Sequence, residues 1–250
     1  MKKELVIATF NDEVSWTEKI DSVDRITIYN KGSREIRGSI RLPNIGREAH
    51  SFAYHIAENY DSLADHVIFL QGFPFDHAPQ INAGNIAAAI ANHQYKDCRE
   101  PAFNGRTADS SSLIEDATGL SKRTYERYFE EVPEKIHFSP GAQWIVPAKD
   151  IRSKSRRFYM DLFVQLSTPR INPEDGIVNP WNMEGLWNYI FDPEVKEKQI
   201  YGDFDPENES PYYRIAHDPK MKYDFVKSTF IDGQRQETIW DTYVKFQQQK

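Results

Sequence analysis

The sequence predicts an α/β domain: a mostly parallel, doubly wound sheet with helices on its faces, followed by a helical and irregular C-terminal extension. Three observations carry this. Glu4 to Phe10, Arg25 to Asn30 and Asp65 to Gly72 are short runs rich in apolar or β-branched residues, each closed by polar residues or glycine, as strands of a buried parallel sheet are. Between the second and third runs, Ala49, Phe52, Ala53, Ile56 and Tyr60 recur at helical spacing. Strand, helix and strand joined by short links require a crossover connection, and therefore a parallel pair.

In chain order, the first strand empties into Asn11-Asp12-Glu13, and Trp16 with Ile20 then predicts a short helix. Lys31-Gly32 stops the second strand. Residues 34–41 are polar and irregular and read as a loop or an edge hairpin. Asn44 and Gly46 punctuate the chain before the helix over 47–60, whose first turn starts at Gly46-Arg47. The third strand leads into Gln71-Gly72 and then Asp76-His77. Asn85 to Tyr95 is alanine-rich and predicts a helix, whereas 97–120 is polar and reads as a mobile lid. Tyr125, Tyr128 and Phe129 mark a packed helix ahead of Pro133. His137 to Val146 reads as a turn and a strand, Ile151 to Leu166 as one amphipathic helix, and Glu184 to Phe191 as a strongly apolar helix. The domain division expected is 1–195 for the α/β unit and 196–250 for an extension packed on it.

Bulk properties narrow the function classes. A chain of 250 residues with 39% hydrophobic and 13% aromatic content can bury a sizeable core. A net charge of -7 disfavours a sequence-independent nucleic-acid binder. One cysteine, Cys98, excludes an internal disulfide framework and a cysteine-rich zinc site. The N-terminal apolar run is too short for a secretion signal and no stretch is long enough to span a membrane, so a cytoplasmic location is expected. Peripheral membrane contact through a basic patch stays open. There is no G-x-S-x-G, Walker A, G-x-G-x-x-G or H-E-x-x-H segment.

The candidate functional residues sit where the predicted strands end. Asn44-x-Gly46-Arg47-Glu48 places a glycine and an arginine at a helix N-terminus, which favours anions and suits phosphate or sugar. It also reads as an ordinary helix start with an Arg–Glu surface pair. Asp76 and His77, following Gln71-Gly72, offer an oxygen and a nitrogen ligand for Mg²⁺ or Mn²⁺; a capping Asp and a hydrogen-bonded His explain them as well. Asp12 is placed to hold a base or ribose, and Lys31 a diphosphate, though a solvated loop and a turn lysine account for both. Glu184 precedes Leu186, Trp187, Tyr189 and Ile190, and a carboxylate against such a wall can act as a general base. A first-turn acid favoured by the helix dipole is the plainer reading.

Read together, the segments Tyr29-Asn30-Lys31-Gly32, Leu42-Pro43-Asn44-x-Gly46-Arg47-Glu48, Phe69-Leu70-Gln71-Gly72, Gly141-Ala142-Gln143 and Leu186-Trp187-x-x-Ile190-Phe191 resemble an uncharacterised family, domain of unknown function 3431, over residues 4 to 192. More distantly, Asn44-x-Gly46-Arg47-Glu48 is similar to the N-x-G-R-D segment of rhamnan-synthesis glycosyltransferases. The strand Gly141 to Val146 resembles the GT-A strand that lies beneath the acceptor. That resemblance implies a GT-A-like catalytic domain moving a sugar from a nucleotide-activated donor to a glycan or lipid-linked acceptor in surface polysaccharide assembly. Asp12, Lys31, Arg47, Glu48 and Gln71 would hold the nucleotide sugar, Asp76 and His77 a divalent cation, and Glu184 the acceptor hydroxyl. The pattern departs where Gln71-Gly72-Phe73 replaces a D-x-D triplet. A non-catalytic carbohydrate-binding or scaffold protein on the same fold is the alternative.

Overall fold

Residues 1–78, 80–95, 102–103, 108–109, 120–132, 137–138, 141–167 and 180–198, with a short ladder at 230–231 and 234–235, are described by the computed structural model. Five strands make its sheet: β1 (Lys3–Thr9), β2 (Arg25–Asn30), β3 (Ile40–Arg41), β4 (His66–Gln71) and β5 (Trp144–Pro147). They lie in the order β3-β2-β1-β4-β5. β1 pairs in parallel with β2 and β4, β2 in parallel with β3, and β5 runs antiparallel to β4.

Alternation along the strands builds two cores. Val6, Ala8, Val67, Phe69, Trp144 and Val146 face one side, while Leu5, Ile7, Ile68, Leu70 and Ile145 face the other. Every one of these is buried. The helices are α1 (Arg47–Asn59), α2 (Ile86–Asn92), α3 (Leu120–Tyr128), α4 (Ala148–Ile151), α5 (Arg156–Ser167) and α6 (Met183–Ile190). The first face is covered by α1, α3, α5 and α6, through an aromatic cluster in which Phe69, Trp187 and Phe191 stack at centroid separations of 5.0 to 6.0 Å. A 3₁₀ turn carrying Trp16, together with α2, covers the second face. Central strands coated on both sides need continuous apolar runs, which is what Leu5 to Ala8 and Val67 to Leu70 supply.

Several expectations are corrected. Of the loop and the edge hairpin expected over 34–41, residues 34–39 form the loop and no hairpin follows: Ile40 and Arg41 pair in parallel with Tyr29 and Asn30. The buried Asn30 side chain turns the chain there, accepting from Gly32 N–H at 2.9 Å and donating to Arg34 C=O at 2.7 Å. The single helix expected over 151–166 is two, α4 and α5. The break is fixed by buried Lys154, whose Nζ donates to Asp192 C=O at 2.8 Å, and α5 restarts with Ser155 Oγ accepting from Phe158 N–H at 3.2 Å. The helix expected over 85–95 is shorter, because His93 is already extended. Most of the lid expected over 97–120, including Cys98, lies outside the described residues, as does nearly all of the 196–250 extension.

Candidate functional site

The strand order reverses at β1: β2 and β3 lie to one side and β4 to the other. In such a sheet the loops leaving neighbouring carboxyl ends run in opposite directions and leave a crevice, the usual ligand position in open α/β folds. Here the loops after Thr9 and Gln71 bound a cavity of about 420 Å³ lined by Thr9, Phe10, Asp12, Lys31, Asn44, Arg47, Glu48, Gln71, Phe73 and Asp76. Segments more than 60 residues apart in sequence therefore meet in one place. Of the residues singled out from sequence, Asp12, Lys31, Arg47, Glu48, Gln71 and Asp76 share this lining. His77 and Glu184 are not in it.

Each wall has its own construction. Asp12 folds back on its strand, its Oδ2 accepting from Thr9 Oγ1 at 2.9 Å and from Phe10 N–H at 3.0 Å. Gly72 makes this possible, since a Cβ there would sit 2.5 Å from Asp12 Oδ2 and 2.7 Å from Thr9 Cβ. Trp16 Nε1 holds the same corner by donating to Gly72 C=O at 2.9 Å. Lys31 is buried, and its Nζ donates to the carbonyls of Ile45 (2.5 Å) and Arg47. Burial depresses its pKa to about 7, against the opposing pull of the Glu48 carboxylate. The ammonium thus braces the turn that opens α1, alongside its position in the cavity wall. Glu48 is itself buried, and Arg47 Nε lies 3.5 Å from its Oε2. The pair is therefore half interior, in contrast to the wholly exposed pair that spacing alone suggests.

Backbone strain collects around this crevice. Gly46 caps α1 at φ 60°, where a Cβ would also meet Leu166 C=O at 2.6 Å. Among the described residues three non-glycine ones have positive φ: Asn11 (62°) after β1, Arg47 (51°) opening α1, and Ala142 (44°) before β5. Asparagine tolerates that region, but arginine and alanine do so at a cost of about 1–3 kcal/mol each.

Behind the cavity wall, His77 and Glu184 are joined through Gly141. A Cβ on Gly141 would sit 2.7 Å from His77 Cβ and 3.1 Å from its Cγ, and the Gly141 N–H points to Glu184 Oε1 at 3.4 Å. Burial raises the Glu184 pKa; the Gly141 N–H opposes this, Glu48 reinforces it, and Arg47 and His77 counter it. Glu184 is therefore electrostatically coupled to the crevice although it does not line it. His77 Nε2 lies 3.6 Å from Asp76 Oδ2 with both side chains exposed. Among the described residues no three histidine, cysteine or acidic side chains converge as a metal cage. A cation at Asp76 and His77 would have to complete its shell with phosphate oxygens and water, as Mg²⁺ commonly does.

A family model described as "Protein of unknown function (DUF3431)" matches residues 5–201. The chain belongs to that family. No curated protein and no solved structure matches it. The match takes in every strand of the DUF3431 sheet and all of the crevice residues. Among the described residues no helix is long and apolar enough to cross a membrane.

Among the members of this DUF3431 crevice that sequence reasoning missed, beside Ala8 and Thr9, are Phe10 and Phe73. Phe10 reads as the last residue of an apolar strand and Phe73 as filler after Gln71-Gly72, yet their relative exposures are 54% and 49%. The available signal was an aromatic placed directly between a strand end and a polar or proline-bearing turn. A larger cavity, about 630 Å³, lies at the opposite end of β4 between Lys3, His66, Ile90, Tyr95 and Lys149. Lys3 Nζ there donates to Ile90 C=O at 3.3 Å and Tyr95 OH to Asp150 at 2.8 Å. It sits at the amino edge of the parallel strands, away from the switch point.

Proposed function

We propose that this chain is a glycosyltransferase, moving a sugar from a nucleotide-activated donor to a glycan or lipid-linked acceptor in surface polysaccharide assembly. The supporting observation is the convergence of Asp12, Lys31, Arg47, Glu48, Gln71 and Asp76 on one cavity at the sheet's switch point. In this reading the GT-A-like sheet presents the donor to the crevice. Asp12 holds the nucleoside, and Arg47 at the start of α1 takes the phosphates. Glu48 and Gln71 orient the sugar, while Lys31 supports the α1 turn from below. Transfer breaks the bond between the anomeric carbon and the diphosphate oxygen and forms one to the acceptor oxygen. Glu184, beside the crevice and with its raised pKa, would orient the acceptor or take its hydroxyl proton as the acceptor oxygen attacks. A Mg²⁺ or Mn²⁺ ion shared by Asp76, His77 and the diphosphate would neutralise charge on the leaving group.

The test is donor hydrolysis and transfer across a panel of nucleotide sugars, with and without Mn²⁺. Glu184→Gln is expected to lower turnover roughly a hundredfold or more while leaving donor affinity in place. A second reading, a carbohydrate-binding protein without catalysis, is favoured by the commitment of Lys31 Nζ to backbone carbonyls. It predicts glycan binding that survives both Asp76→Ala and Glu184→Ala, with no donor turnover at all.

A further inference from the structure

We infer that Phe10 and Phe73 form an aromatic rim that stacks the base of a nucleoside diphosphate at the mouth of the switch-point crevice. This inference rests on the nucleotide-donor reading above and adds to it a residue pair and a binding mode. Both side chains line the same cavity. They occupy corresponding places, because Ala8 of β1 pairs with Gln71 of β4 and each phenylalanine lies two residues beyond. Phe10 and Phe73 are the exposed phenylalanines among the described residues. A large apolar ring at a solvated strand end gains nothing from the core. Two of them at one mouth are the kind of exposed apolar feature that marks a binding surface.

The surroundings hold one ring firmly. Phe73 meets Phe75 edge to face at 5.2 Å, Phe75 meets Trp16 the same way at 5.7 Å, and Trp16 is hydrogen-bonded to Gly72 C=O. Phe10 is carried by the Asp12 turn, its own N–H donating to the Asp12 carboxylate. The Phe73 ring is thus braced, and the Phe10 backbone anchored, before any ligand arrives. Phenylalanine offers a face and no hydrogen bond, so it suits a π surface of any base over a hydroxyl-studded sugar edge. Arg47, which would take phosphate, and Glu48 beside it at the start of α1 line the same cavity. A ligand filling it from rim to α1 carries a flat ring at one end and anionic oxygens at the other.

The experiment is isothermal titration of UDP, ADP and inorganic pyrophosphate into wild type, Phe10→Ala, Phe73→Ala and Phe73→Trp, with thermal melts to show that each variant is folded. Base stacking is expected to make each alanine substitution weaken UDP and ADP by roughly ten- to a hundredfold and leave pyrophosphate unchanged. Phe73→Trp should retain affinity and show fluorescence quenching on adding UDP. Nucleotide affinities equal in wild type and both alanine variants overturn the stacking rim and leave the anion site standing. Pyrophosphate binding as tight as UDP binding in wild type has the same meaning. Absence of all binding overturns both the rim and the donor reading.

Discussion

Lys31→Met is the substitution whose effect the structure specifies most fully. The wild-type ammonium is buried under the first turn of α1, bonded to the carbonyls of Ile45 and Arg47, and its pKa falls to about 7 from the ordinary lysine value of 10.5. A lysine with a depressed folded pKa binds fewer protons folded than unfolded, so wild-type stability rises with pH between those two values and is level below about 7. The slope is about 1.4 kcal/mol per pH unit at most, and methionine abolishes it. Going from about pH 7 to about pH 9, wild type should therefore gain on the order of 2 kcal/mol relative to the variant. Glu48, which favours the ammonium, and His50, which faces it as a buried neutral ring, set the midpoint without reversing the sign. Urea unfolding midpoints of both proteins at several pH values read this difference, in which tyrosine titrations common to both cancel. Parallel pH profiles, or a wild type that loses ground as pH rises, would show that Nζ is not held in a desolvated site.

Two further substitutions probe the frame. Gly72→Ala should cost about 1–3 kcal/mol, because the new methyl cannot avoid Thr9 Cβ at 2.7 Å on a fixed strand. A drop in melting temperature of roughly 2–10 °C, with weakened ligand binding as Asp12 is pushed from its turn, is the expected result; an unshifted melt refutes the close approach. Glu4 is buried on β1, and although burial alone raises its pKa, hydrogen bonding and charge from His55, Arg25 and the Ala64 N–H bring it below the ordinary carboxylate value. Its stabilisation is present above the unfolded pKa and lost as pH falls through the folded one, so Glu4→Gln should cost about 3 kcal/mol at neutral pH and flatten the acid limb of the stability curve.

The sheet was legible because its determinants are local. Leu5 to Ala8 and Val67 to Leu70 are buried on both faces, so their apolar runs announce strands without any partner. The helix start at Gly46 was equally readable, since a positive φ there selects glycine. What could not be read depends on distant partners. The break at Lys154 needs Asp192, whose carbonyl lies 38 residues away. The Asn30 turn looks from sequence like a place for polar ligand groups, and it is largely consumed in holding the backbone. Lys31 is the sharpest case: a lysine after Tyr29-Asn30 reads as an exposed cation, and only the carbonyls of Ile45 and Arg47 make burial tolerable. Phe10 and Phe73 were hidden for the opposite reason, because apolar composition implies burial unless the fold leaves the ring nowhere to go.

These exceptions bear on the site more than the regularities do. Asn11, Arg47 and Ala142 are the non-glycine residues with positive φ among the described ones, and they stand in the loop after β1, the first turn of α1 and the entry to β5. Random strain would scatter over the surface, where relaxation is easy. Here two of the three adjoin the crevice, and the third precedes Gln143, whose side chain donates to Pro74 C=O at 2.6 Å and so ties β5 to the loop carrying Phe73 and Asp76. Arg47 is the most informative, because the left-handed region is visited routinely by glycine and occasionally by asparagine or aspartate, not by a long side chain. A conformation costing about 1–3 kcal/mol persists only where its surroundings over-determine it, and the Lys31 bonds to Ile45 and Arg47 are that restraint. The buried lysine and the strained arginine are then one device: an interior amino group donating to two carbonyls fixes the backbone so that an exterior guanidinium lies on the cavity wall.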